Sequence, residues 1–141
     1  MCAARLPWVR QERSRTLQKY LLIAAGGALG SMARYWVAGT LSGRAGTRFP
    51  WGTFVVNITA CVIIGFTITW LGRHIELSRA WLYLIPVGFI GAYSTFSTYE
   101  WETFTMMEAG ELAIALLYVL SSVALGLAAV WVGAKLASAL S

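Results

Sequence analysis

"VGFIGAYSTFSTYEWETF", residues 87–104, interrupts an apolar chain with glycines (Gly88, Gly91), hydroxyls (Ser94, Thr95, Ser97, Thr98) and rings (Phe89, Tyr93, Phe96, Tyr99). Apolar sequence precedes it, and a membrane-type run follows. Pro86 stands just upstream, so one proline and two glycines fall close together. Proline removes a backbone donor and clashes with the preceding turn, and glycine frees the backbone. Backbone that leaves the helix at membrane depth is tolerated only where it is buried in protein or lines a cavity. Carbonyls released there can hold a cation, and the N–H groups that open the next half-helix can face an anion. A second reading is a plain Pro/Gly kink whose hydroxyls bond back to carbonyls. The stretch alone leaves both open.

Composition places that choice in a bilayer. The chain has 141 residues, 58% of them hydrophobic and 12% charged, with a mean hydropathy of +0.66. A soluble domain carries about 25% charged residues. The formal net charge is +5, but the basic residues lie mostly in the tail and loops, where membrane proteins carry them, so nucleic acid is not an expected partner. Cys2 and Cys61 do not form a disulfide framework, one being in the tail and the other inside an apolar run. The opening "MCAARLPWVRQERSRTLQK" has no apolar core, and Cys2 has no apolar run before it. It is read as a basic N-terminal extension, residues 1–18, rather than as a cleavable signal.

Residues 19–138 then form the membrane domain. A bilayer core of about 30 Å needs about 20 mostly apolar helical residues. Four segments qualify: roughly Tyr20 to Leu41, Trp51 to Leu71, Ala80 to Phe104 and Glu111 to Leu136. The connections are short, so consecutive helices run antiparallel. The expected fold is an all-α membrane protein of four transmembrane helices, the third broken near the midplane. Arg5, Arg10, Arg13, Arg15, Lys19, Arg73, Arg79 and Lys135 lie on the side of the termini, against Arg44 and Arg48 on the other. That bias puts both termini in the cytoplasm. Without the extension the count falls to four against two.

Helices in lipid associate through small residues and interhelical hydrogen bonds. Stripes at i, i+4 spacing occur at Gly26, Gly30 and Arg34, at Thr53, Asn57, Cys61 and Gly65, and at Tyr118, Ser122 and Gly126. Plain packing explains the glycines. Arg34 lies roughly 21 Å along its helix from Tyr20. Two readings fit it: snorkelling to the far interface, or turning toward another helix with its two glycines. Asn57 is either a packing hydrogen bond or a donor in the same polar layer. Phe96 and Tyr99 are three apart, so their rings share a side, and ring edges carry positive charge. They are either packing or weak anion partners of the kind conduction requires.

"GGALGSMARY" (26–35), "WGTFVVNITACVIIGF" (51–66) and "GFIGAYSTFSTYEWET" (88–103) resemble the signature stretches of the small fluoride channels, the Fluc or CrcB family. The similarity runs through all four helices and leaves out about the first 18 residues. The resemblance implies a plasma (inner) membrane channel that exports fluoride, built as an antiparallel dimer, usually a dual-topology homodimer. It implies a fluoride pathway of Asn57, Phe96, Tyr99, Thr95, Ser97, Tyr118, Ser122 and Arg34. It also implies a structural sodium ion at the dimer interface, held by the carbonyls of Gly91 and Ser94. The expected partners are fluoride, the lipid bilayer, and a second copy or homologous subunit in the opposite orientation.

This chain departs from the family pattern at several positions. Tyr99 stands where phenylalanine is usual and Ser94 where threonine is usual, and Ala60 and Ala92 replace glycines. The basic extension biases orientation. Two rival readings are a four-helix multidrug or cation antiporter and a non-transporting membrane assembly protein. The first wants a glutamate in the first span, where this chain has Arg34, and the second leaves the stretch at 87–104 unexplained. No enzyme is expected, since the sole histidine, His74, has no nucleophile–base pair or metal-ligand spacing near it.

Overall fold

The computed structural model describes residues 7–45, 48–74 and 79–140, with side chains described for 16–42, 48–74 and 79–140. Cys2 and Arg5 lie outside the described residues. Within them the chain is all-helical: α1 (Pro7–Ala45), α2 (Trp51–Arg73), α3 (Ala80–Leu82), a π-helical stretch (Tyr83–Ile90), α4 (Gly91–Tyr93), α5 (Phe96–Glu108) and α6 (Leu112–Ala139). Four helical segments are long and apolar enough to cross a membrane: Thr16–Ser42, Trp51–Arg73, Ala80–Glu108 and Leu112–Ala139. The chain is a multi-pass membrane protein. Large apolar side chains such as Leu29, Trp36, Leu120 and Leu127 face outward, as lipid requires.

From Pro7 onward the chain is helical straight into the first span. α1 has 39 residues, about 58 Å at 1.5 Å per residue, nearly twice the bilayer core. No proline or glycine lies between Pro7 and the span, and a proline at the first helical position fits because its missing N–H has no partner there anyway.

The helices meet through small residues. α2 lies along α6, and α1 lies along the π-helical stretch. A Cβ on Gly30 would strike the carbonyl of Phe89, and one on Gly26 the carbonyl of Leu84. On the other side, Gly65 faces the Val130 carbonyl and Gly133 the Val62 carbonyl, each too closely for any side chain. Gly133→Leu is therefore expected to destabilise the fold by about 1–3 kcal/mol through overpacking. A lower melting temperature in detergent, followed by circular dichroism, checks this; an unchanged melt would show that the α2–α6 seam yields.

Pro86 does not stop the helix, as the sequence reading expected of the Pro86–Gly91 cluster. The missing proline N–H falls within a widened π turn, and Gly88 lets that turn sit against Ile23 and Gly26 of α1. The helical path ends further on. After α4 the backbone of Ser94 (ψ 155°) and Thr95 (φ −147°, ψ 111°) is extended, and α5 starts at Phe96. Tyr93, buried and stacked on Phe89 at 5.6 Å, fixes the end of α4, and its hydroxyl lies 2.9 Å from that of Thr59 on α2. At the far end of α5, Gly110 takes φ +77°, and Glu111 N–H donates to Met106 to turn the chain into α6.

Candidate functional site

The extended residues between α4 and α5 are held by one side chain. Asn57 Nδ2 donates to the Thr95 carbonyl at 3.1 Å, and Thr95 N–H donates to Asn57 Oδ1 at 2.9 Å. A side-chain amide offers a donor and an acceptor in the geometry of a peptide group, so Asn57 stands in for a neighbouring strand. Its second N–H remains available beyond this pair. The two readings of Asn57 thus combine: it makes a packing hydrogen bond, and it also keeps a donor.

The Thr95 side chain serves α5. Its Oγ1 accepts from Thr98 N–H at 3.3 Å and donates to Thr98 Oγ1 at 2.9 Å, an N-cap. Thr95→Ala is expected to cost about 1 kcal/mol through loss of this cap, while Thr95→Ser keeps it. Melting temperatures of the two variants in detergent check the difference; equal melts would remove the cap from the account.

These bonds also redirect the helix's own donors. Thr95 N–H would pair with the Gly91 carbonyl in an unbroken helix, and Thr98 N–H with that of Ser94. Instead they go to Asn57 and to the Thr95 hydroxyl. Both carbonyls are left free of those donors, and Gly91 and Ser94 are both lining residues of one cavity. A buried or cavity-lining carbonyl needs a partner, and a hard cation satisfies it as well as an N–H does.

Two cavities flank this point. One, about 430 Å³, is lined by Asn57, Cys61, Gly91, Ser94, Thr95 and Phe96 among others. The second, about 290 Å³, is lined by Arg34, Ser31, Thr53, Thr95 and Thr98. Thr95 belongs to both walls. Arg34 is half-buried and faces its cavity, in keeping with the reading that turns it toward another helix.

The rings form a separate ladder. Phe96 and Tyr99 centroids are 5.8 Å apart, and those of Tyr99 and Tyr118 4.9 Å. Tyr118 is fully buried, with Phe49 edge-on at 5.3 Å, whereas Phe96 is 74% exposed at the mouth of the larger cavity. Ser97 is exposed in the first turn of α5. Ser122 is half-buried one turn beyond Tyr118, on the α6 face where Gly126 meets Cys61. Neither serine lines the two cavities.

One group beside the rings was not legible as a site. Glu102 accepts from Thr53 Oγ1 at 2.7 Å and from Tyr118 OH at 2.8 Å. An acid inside a membrane helix is costly unless it is well bonded, and two hydroxyls from two other helices bond this one. Its signal in the sequence was a carboxylate one turn past Thr98, with Glu100 two residues before it. Its partners, 49 and 16 residues away, become visible only in the fold.

Residues 21–134 match the model of the family described as CrcB-like protein, Camphor Resistance (CrcB). The chain is 54% identical over 115 residues to a protein of Acidobacterium capsulatum named Fluoride-specific ion channel FluC, covering 82% of this chain and 92% of that one. It is 49% identical over 119 residues to a protein of the same name from Solibacter usitatus, covering 84% and 98%. A third, from Thermus thermophilus and also named Fluoride-specific ion channel FluC, is 39% identical over 124 residues, covering 88% and 98%.

Proposed function

This chain belongs to the CrcB family, and on that premise we propose that it is a fluoride-specific channel of the plasma (inner) membrane. It exports cytoplasmic fluoride. Hydrogen fluoride enters as the neutral acid and dissociates inside, and an open anion path lets the inside-negative potential expel the ion. No bond is made or broken, so the work is done entirely by desolvation and its compensation.

The observation that carries the reading is the Asn57–Thr95 pair set between two mostly apolar cavities, each with a few polar groups in its wall, in a membrane protein. A bare anion in lipid needs donors to replace its water. Arg34 and the hydroxyls of Ser31 and Thr98 furnish them in one cavity. Asn57, with its second N–H, stands at the wall. Beyond it, the edges of Phe96 and Tyr99 continue the path, with the hydroxyls of Ser97 and Ser122 outside the two cavities, while the Tyr118 ring backs Tyr99 and its hydroxyl is committed to Glu102. Ring edges hold an anion weakly enough to let it leave. Thr95 shapes the wall through its backbone and caps α5 with its hydroxyl.

The third membrane span is one helix broken near the midplane, at Ser94 and Thr95. Sodium fits the carbonyls of Gly91 and Ser94, because the helical donors of both are diverted. When bound, the ion supplies a fixed positive charge that ties the break together. A second subunit, inserted antiparallel, contributes the matching carbonyls and covers the exposed ring of Phe96.

The test is fluoride release from liposomes containing the purified protein, read with a fluoride electrode and repeated with chloride. Rapid fluoride loss with chloride retained is the expected result. Vesicles that hold their fluoride would count against the reading.

A further inference from the structure

We infer that the buried hydroxyl pair of Tyr93 and Thr59 positions the carbonyls of Gly91 and Ser94 and so sets how tightly the break in the third span holds sodium, a step that rests on the sodium reading above. Both are positioning residues, not ligands.

Tyr93 is the last residue of α4, with Gly91 at the start of that turn and Ser94 directly after it. Its side chain is buried with Val56, Ala60 and Ile90. A phenylalanine would fill that core equally well, so packing accounts for the ring and not for the hydroxyl. A hydroxyl so deep needs a partner, and this one finds Thr59 Oγ1 at 2.9 Å. The proton's direction follows from the neighbours. Thr59 Oγ1 lies 2.8 Å from the Val55 carbonyl and 3.0 Å from that of Val56, where its one proton is spent. Tyr93 O–H therefore donates to Thr59.

This grip differs from the Asn57 clamp in place and direction. Thr59 holds Tyr93 before the break, and Asn57 holds Thr95 within it. Residues 57 and 59 are about 200° apart around α2, so α4 and its extended end are tied to two sides of that helix. α1 presses on the same backbone, since a Cβ on Gly30 would strike the Phe89 carbonyl and crowd the Tyr93 nitrogen. The end of α4 is thus held against rolling on α2.

A backbone carbonyl has no rotamers, so it points where the chain's path points it. The Ser94 hydroxyl does not substitute for its carbonyl, because it donates back to Ile90 at 3.1 Å. Asn57 and Thr95 divert the donors of the two carbonyls, and Tyr93 holds their direction. Groups fixed before an ion arrives lose little freedom in binding it.

The test is thermal melting of the full chain, purified in detergent without sodium, at rising sodium chloride with N-methylglucamine chloride holding the ionic strength. An ion that binds the folded state raises the melting temperature according to its affinity. The wild type is expected to respond to sodium. In Tyr93→Phe the sodium concentration needed for a given rise is expected to increase about fivefold, the size of one lost neutral hydrogen bond. Thr59→Val removes the same bond from its other end and is expected to match, the double variant shifting no further. Thr59→Ser is expected to keep the wild-type curve.

Variants that melt lower but respond to sodium as the wild type does would show a structural bond alone and overturn the inference. Shifts that add in the double variant would overturn the pairing of the two hydroxyls. A wild-type melt indifferent to sodium would sink the sodium reading and the inference with it. None of these readouts measures fluoride, so the channel reading is decided separately by the liposome assay.

Discussion

Asn57→Asp is expected to stop fluoride flux while the protein still folds. The substitution puts a carboxylate where the two cavities meet at Thr95. Two like charges 4 Å apart repel by about 4 kcal/mol at an effective dielectric of 20, which slows passage roughly a thousand-fold. The clamp suffers as well. Thr95 N–H keeps an acceptor, but the Thr95 carbonyl loses the donor it has at 3.1 Å and faces a second oxygen. Asn57→Ser separates the two effects, since it loses the clamp without adding charge. Flux from reconstituted liposomes is the measurement, with gel-filtration elution in detergent as the check on folding. If Asp and Ser variants are equally silent, charge is not the cause; if Asp conducts normally, Asn57 is not on the path.

Phe96→Ile is expected to lower fluoride flux by about tenfold or more, with little change in stability. The ring is 74% exposed in the single chain, so little of the subunit's own packing rests on it. Its contact with Tyr99, at 5.8 Å, is the first step of the ladder that continues to Tyr118. Isoleucine keeps the bulk and removes the positive ring edge, an interaction of about 0.5–1.5 kcal/mol for a ring pair and larger for a bare anion in a dry site. Flux and melting temperature are measured on the same preparation. Unchanged flux would take the edge-on ring out of the mechanism, and a large fall in melting temperature would make the loss structural instead.

Much of the membrane fold was legible because its signal is one-dimensional. A span is a length of apolar residues, and the four described segments lie where hydropathy puts them. The faces of α1 and α2 were legible from glycine spacing for the same reason, a helix having one period. Gly133 escaped that reading. It extends the α6 stripe past Gly126 by seven residues instead of four, and it meets Val62 on another helix. Where α1 begins was not read from the sequence; the helix runs from Pro7 through the basic residues into the span.

The site divides along the same line. Residue types alone told that a polar, aromatic and glycine-rich patch lies at membrane depth, because such residues are costly there without a reason. They did not tell where the helical path ends. Pro86 and Gly91 pointed upstream of Ser94 and Thr95, and the difference is made by Asn57, 38 residues away, which takes the backbone pair that a continued helix would have used. Glu102 belongs to the same class, since two hydroxyls on other helices make a carboxylate tolerable there. Periodicity is a property of one helix, whereas a hydrogen bond that redirects a backbone group exists only when two helices are side by side. Which segments enter the membrane follows from the first kind of information, and where an ion can cross follows from the second.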